Sequence, residues 1–180
     1  MKAAEAKAGL AAIALAAAPF FLAPYATTTL TRILVFALLA VSLDLLVGIT
    51  GMPSLGHGAY FGVGAYAAGW AALHGTNQAL PQLFIAFTAG AVAALIAGAV
   101  AVRSHGIFFL MLTLAMGELI QQLAQSWETV TGGSNGLYGI PATRVGGLAL
   151  TSVAPLYWYV AAVFAAGFAV LWCVSASPLG

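Results

Sequence analysis

The chain has 180 residues, 63% of them hydrophobic and only 5% charged, with a formal net charge of +1. Soluble domains carry about 25% charged residues, so a mean hydropathy of +1.05 excludes an ordinary water-soluble fold. The near-neutral balance offers no electrostatic footprint for nucleic acid, and the single cysteine, Cys173, excludes an intrachain disulfide.

A membrane-spanning helix needs about 20 apolar residues. Six candidates follow in chain order: about Gly9–Ala23, Leu30–Val47, His57–Leu73, Pro81–Val102, Ile107–Ser126 and Pro155–Ser175. The first is short, contains Pro19 and follows Lys2 and Lys7. It reads either as a span or as the apolar part of a signal peptide cut near Ala16–Ala18. With the N-terminus inside, Lys2, Lys7 and Arg103 are cytoplasmic and Arg32 and Arg144 outside. Trp70, Trp127 and the Tyr157-Trp158-Tyr159 cluster then share the outer interface, Trp172 lies near the inner face, and both ends of the chain are cytoplasmic. The expected fold is an all-α, polytopic transmembrane helical bundle of about six spans, in one membrane-embedded domain over residues 1–180.

Between the second and third spans the segment Gly48–Gly64, GITGMPSLGHGAYFGVG, breaks the apolar run with one proline, one histidine and six glycines. Such a break at membrane depth is tolerated only where the backbone is buried in protein or lines a cavity. Asp44 precedes it within the second span. A carboxylate there pins structure by accepting hydrogen bonds, lines a pathway, or couples to protons. Ser54 is placed to cap the third helix through its side-chain oxygen. His57 beside it reads as an interhelical hydrogen-bonding group or as a ligand. Small residues recur at helix-packing spacing: Gly58, Gly62 and Gly69 in the third span, Gly90, Ala94 and Gly98 in the fourth. Such faces let helix backbones approach one another.

In the fifth span Glu118, Gln121, Gln122 and Gln125 fall at i, i+3, i+4 and i+7, one polar helical face. Lipid is a poor neighbour for it. The stripe reads as a hydrated vestibule near the outer end of the span or as an interhelical hydrogen-bond network. The connection Glu128–Thr151 is rich in turn residues and is expected outside, packed back on the helices. Its GGSNG run lacks the Gly-Lys-Ser/Thr ending of a phosphate loop. His74 and His105 have no carboxylate or cysteine at metal-ligand spacing. No nucleophile–base–acid constellation is legible. No metal, no cofactor and no enzymatic activity are therefore expected of this chain.

Two blocks carry a resemblance. Ser42–Tyr66, SLDLLVGITGMPSLGHGAYFGVGAY, resembles the glycine-rich signature of branched-chain amino-acid ABC transporter permeases. Arg103–Pro141, with RSHGIFFLMLTLAMGELI and then TGGSNGLYGIP, resembles the LivM-type subunit more than its LivH-type partner. The resemblance implies part of a permease related to type II ABC importers, in the bacterial cytoplasmic membrane and in contact with membrane lipid. It also implies a second, LivH-type permease subunit, two cytoplasmic ATPase subunits and an extracytoplasmic substrate-binding protein. Branched-chain or related amino acids would pass between the two permeases. Two departures stand out. Family members often carry Asn where this chain has Asp44. The family's Ser-Pro-x-Gly, here Ser177-Pro178-Leu179-Gly180, leads into a basic coupling segment and further spans, so the chain is expected to be the N-terminal part of a permease. A different class remains open: an ion-coupled secondary transporter fragment or channel with Asp44 and Glu118 as coupling groups.

Overall fold

A computed structural model describes Leu15, residues 17–19 and residues 22–177 of the chain. The first long helix, α1 (Pro24–Thr50), starts on Pro24, whose fixed φ suits a first helical turn. It ends at Gly51 in the left-handed region (φ 65°), whose N–H bonds the Val47 carbonyl. Then follow α2 (His57–His74), α3 (Ala79–Ala101) and α4 (Ile107–Ser126). The connection that follows α4 holds a one-turn helix α5 (Glu128–Thr131), a 3-10 turn (Gly133–Asn135) and two short strands, β1 (Arg144–Val145) and β2 (Leu148–Ala149). The last helix is α6 (Val153–Ser175).

Among the described residues α1, α3, α4 and α6 are long and apolar enough to cross a membrane. They are apolar nearly all round and leave Phe36, Phe84, Phe87, Leu95, Ile96 and Phe108 exposed, as helices in a lipid solvent do. α2 is a continuous 18-residue helix over the expected third span. Its glycines, tyrosines and two terminal histidines dilute its hydropathy, so it falls outside that group of four. The expected first span, Gly9–Ala23, lies largely outside the described residues.

The helices associate in two pairs. α2 and α3 form an antiparallel hairpin in which glycines admit backbone to backbone. A Cβ on Gly64 would sit 2.9 Å from the Ala86 carbonyl oxygen, and one on Gly90 would sit 3.3 Å from that of Tyr60. α1 and α6 run side by side, with Leu34 and the fully buried Tyr157 in one cluster and Leu38 over Gly167. The Tyr157 hydroxyl donates to the Leu15 carbonyl at 2.7 Å, so the phenol is buried with its polar tip satisfied.

The connection between α4 and α6 is tied to the α2–α3 turn. Arg144 N–H donates to the Asn77 carbonyl (2.7 Å), Thr143 Oγ1 to Gln82 Oε1 (3.1 Å) and Gln82 Nε2 to the Thr76 carbonyl (2.8 Å). β1 and β2 form an antiparallel hairpin pairing Val145 with Leu148. Gly146 and Gly147 between them both have positive φ (56° and 96°), the demand of a two-residue hairpin turn that glycine meets without steric cost.

Candidate functional site

The glycine-rich break between α1 and α2 is folded back into the bundle. On one side, Ser42 of α1 donates to the Leu39 carbonyl, which commits its only hydroxyl proton. It must therefore accept from His57 Nε2, 2.8 Å away. On the other side, Leu55 N–H donates to Thr113 Oγ1 of α4 at 3.2 Å. Ser42 lies about 12 Å along α1 from Thr50, and Thr113 about 9 Å along α4 from Ile107, at 1.5 Å per residue. Two independent anchors thus start α2 about two turns along its neighbours and not level with their ends. Within the irregular segment Ser54 and Gly56 are buried, whereas Gly51, Pro53 and Leu55 are exposed.

This joint is a backbone contact. A Cβ on Gly56 would overlap the Thr113 carbonyl oxygen, and one on Gly117 would reach 3.2 Å from the Gly56 Cα. Ser54 does not cap α2, contrary to the expectation. The capping residue is Gly56 and no side chain bonds the first turn. The chain turns two residues later than a Ser54 cap requires, and the serine is enclosed within the joint.

Beyond the joint a groove of about 840 Å³ separates α2 from α4. The α2 wall presents Gly58, Gly62, Tyr66 and Trp70, and the α4 wall presents Glu118, Gln121 and Gln125. α5 and the 3-10 turn close the end away from the joint through Thr131 and Gly133. Trp70 is held there by stacking on His74, ring centroids 4.6 Å apart. The polar stripe expected on α4 therefore divides. Glu118, Gln121 and Gln125 converge on the groove, whereas Gln122 is exposed and does not line it.

The expected packing glycines also divide. Gly90 lies against helix backbone, and Gly69 lies under Leu137 and Ile140 of the connection between α4 and α6. A Cβ on Gly58, Gly62 or Gly98 would meet nothing within 4 Å, so among the described residues no helix packs on these three. The packing glycine of α2 is Gly64. It stands two residues from Gly62, about 200° around the helix, on the side away from Gly58 and Gly62.

Asp44 stands apart from this constellation. It is exposed on α1 with Ile33, Ala40 and Val47, on a face turned from α6 (Leu34, Leu38) and from α2 (Ser42, Phe36). Its carboxylate has no hydrogen bond or ion pair among the described residues. It does not line the groove, so the chain does not bring Asp44 and Glu118 to one site. Sequence reasoning missed Ser42, Gly56, Thr113 and Gly117, the four residues that make the joint. Gly56 lies in the glycine-rich break and the other three lie in the two blocks that carry the family resemblance, where they read as ordinary small residues in apolar helices.

The fold is that of a multi-pass α-helical membrane protein with a polar-walled groove between two of its helices. Residues 25–180 match the profile of the family described as branched-chain amino acid transport system / permease component. The chain belongs to that family. It is 30% identical over 141 residues to the high-affinity branched-chain amino acid transport system permease protein LivM of Escherichia coli (strain K12), covering 76% of this chain and 32% of that protein. The LivM protein of Salmonella typhimurium (strain LT2) is 29% identical over 135 residues, covering 72% of this chain and 31% of its own length. The chain thus spans about a third of the length of these relatives. No solved structure matches it.

Proposed function

We propose that this chain is a permease component of an ABC importer that moves branched-chain or related small amino acids across the bacterial cytoplasmic membrane. The observation that carries the reading is the groove: a polar face of α4 set against a glycine wall of α2, inside a bundle of apolar helices in a chain of this permease family. The groove supplies one wall of the path and a second, LivH-type permease subunit supplies the other. Two cytoplasmic ATPase subunits drive the pair between inward- and outward-facing states, and an extracytoplasmic binding protein delivers the solute. The chain itself hydrolyses nothing and needs no cofactor.

The Gly56–Thr113–Gly117 joint suits such a cycle. Where backbone meets backbone without intervening side chains, α2 can tilt on α4 without repacking a core. Tilting about this vertex widens or narrows the groove above it.

The test is purification and uptake with the full transporter. Co-purification of this subunit with two ATPase subunits and uptake lost on ATP depletion are expected. Failure to assemble, with uptake abolished by a protonophore and indifferent to ATP, overturns the proposal. The pathway reading has its own check: a bulky thiol reagent on Gly62→Cys is expected to block uptake.

A further inference from the structure

We infer that the α2–α4 groove selects for positively charged groups, with the Glu118 carboxylate recognising the ammonium end of a small solute. The inference rests on the reading of the groove as part of the transport path and adds a charge preference to it.

Among the described residues Glu118 is the only charged one that lines the groove. It is exposed to that space and has no hydrogen bond or ion pair among the described residues. It follows Gly117, the residue at the joint, and so stands at the narrow end where the walls are closest. Gln121 and Gln125 continue the same helical face outward with neutral amides able to donate and accept. On the α2 wall, Gly58 and Gly62 contribute no side chain, and a Cβ on either would meet nothing within 4 Å. Farther out the α2 wall carries Tyr66 and Trp70, and aromatic faces attract cations in their own right.

The other charges of the region do not cancel this field. Arg103 lies in the connection between α3 and α4, and Arg144 lies in β1; neither lines the groove. Glu128 at the start of α5 is near the outer end and carries the same sign. A cleft with one sign of charge and low-dielectric walls concentrates counter-ions, raising local concentration and encounter rates by about 10-fold or more. Rings of carboxylates select cations in channels on the same principle. An amino-acid zwitterion would enter with its ammonium toward Glu118 and its apolar side chain against the glycine wall. A solute with net negative charge would be held off.

The test uses the transporter assembled in membrane vesicles. Cys173→Ser removes the only thiol of this chain, and Gly62→Cys places one in the groove where a Cβ meets nothing within 4 Å. Modification of this chain by a cationic and by an anionic methanethiosulfonate reagent is timed, with and without E118Q. The cationic-to-anionic rate ratio at Gly62→Cys is expected to be about 10-fold higher with Glu118 than with E118Q. It should be preserved by E118D, and independent of residue 118 at Ala142→Cys in the outer connection.

A ratio at Gly62→Cys that ignores E118Q overturns the charge preference and leaves the pathway reading standing. No modification by either reagent at any stage of the transport cycle overturns the pathway reading, and the charge preference with it. Loss of subunit co-purification in E118Q, restored by E118D, also overturns it. That result would make Glu118 half of an ion pair with another subunit.

Discussion

α2 carries glycine on two faces, and the two faces do opposite things. On one, Gly64 brings the helix so close to α3 that an added Cβ would sit 2.9 Å from the Ala86 carbonyl oxygen. On the other, Gly58 and Gly62 hold a space open against Glu118 and Gln121 of α4. The same residue type closes one interface by letting backbone touch backbone and opens another by withholding a side chain. A glycine count therefore does not distinguish a joint from a path; the rotation of the helix about its axis does.

Five predictions break or sharpen this comparison. The largest effect is expected at the joint. Gly56→Val drives a branched side chain into the Thr113 backbone and should cost about 3 kcal/mol or more, read as loss of monodisperse protein in detergent. Normal yield and melting would mean that the joint is not closed. Gly64→Ala on the packed face should cost about 1–3 kcal/mol, seen as a lower melting temperature. Ser42→Ala removes the acceptor of the His57 proton and should cost about 1 kcal/mol. A double-mutant cycle with His57→Ala then recovers a coupling term, and additivity of the two would deny the hydrogen bond.

The sign reverses on the groove face. Gly62→Ala meets nothing and gains helix propensity, so stability should hold or rise by up to about 1 kcal/mol. A loss comparable to that of Gly64→Ala would erase the contrast between the faces. The smallest effect is expected at Asp44→Asn, outside both faces. Melting should move by no more than about 0.5 kcal/mol and ATP-driven uptake should persist. Abolished uptake under an imposed proton gradient would shift the coupling chemistry to α1.

Much of the architecture is legible in the chain. The apolar stretches over Leu30–Val47, Pro81–Val102, Ile107–Ser126 and Pro155–Ser175 lie within or nearly within α1, α3, α4 and α6. Glu118, Gln121 and Gln125 were recognisable as one face because a 3.6-residue period is written into their spacing. The β-hairpin was readable too. Gly146-Gly147 between Val145 and Leu148 is a two-residue turn signal, overshadowed by the turn residues around it.

Other features had no such signal. Thr113 and Gly117 are unremarkable in an apolar helix; they matter because the break at Gly51–Gly56 folds back to their depth. Ser54 looked like a cap because it precedes a helix. Its burial follows from where the returning backbone meets α4.

Composition, hydropathy and residue spacing by themselves determined the membrane class, the position of the long helices and the polar face of α4; the kinship to the permease family came from the resemblance of two sequence blocks and from the family match. These are properties of a one-dimensional pattern, since the length of an apolar run and the period of a polar one need no partner to be defined. Tertiary structure alone decided that the glycine-rich segment returns into the bundle, that Gly64 and not Gly62 meets a neighbouring helix, and that Asp44 stays outside the groove Glu118 enters. Each depends on how far one helix is rotated and raised against another. In an apolar solvent that choice is set by close packing and hydrogen bonds between particular residues, not by hydrophobic transfer.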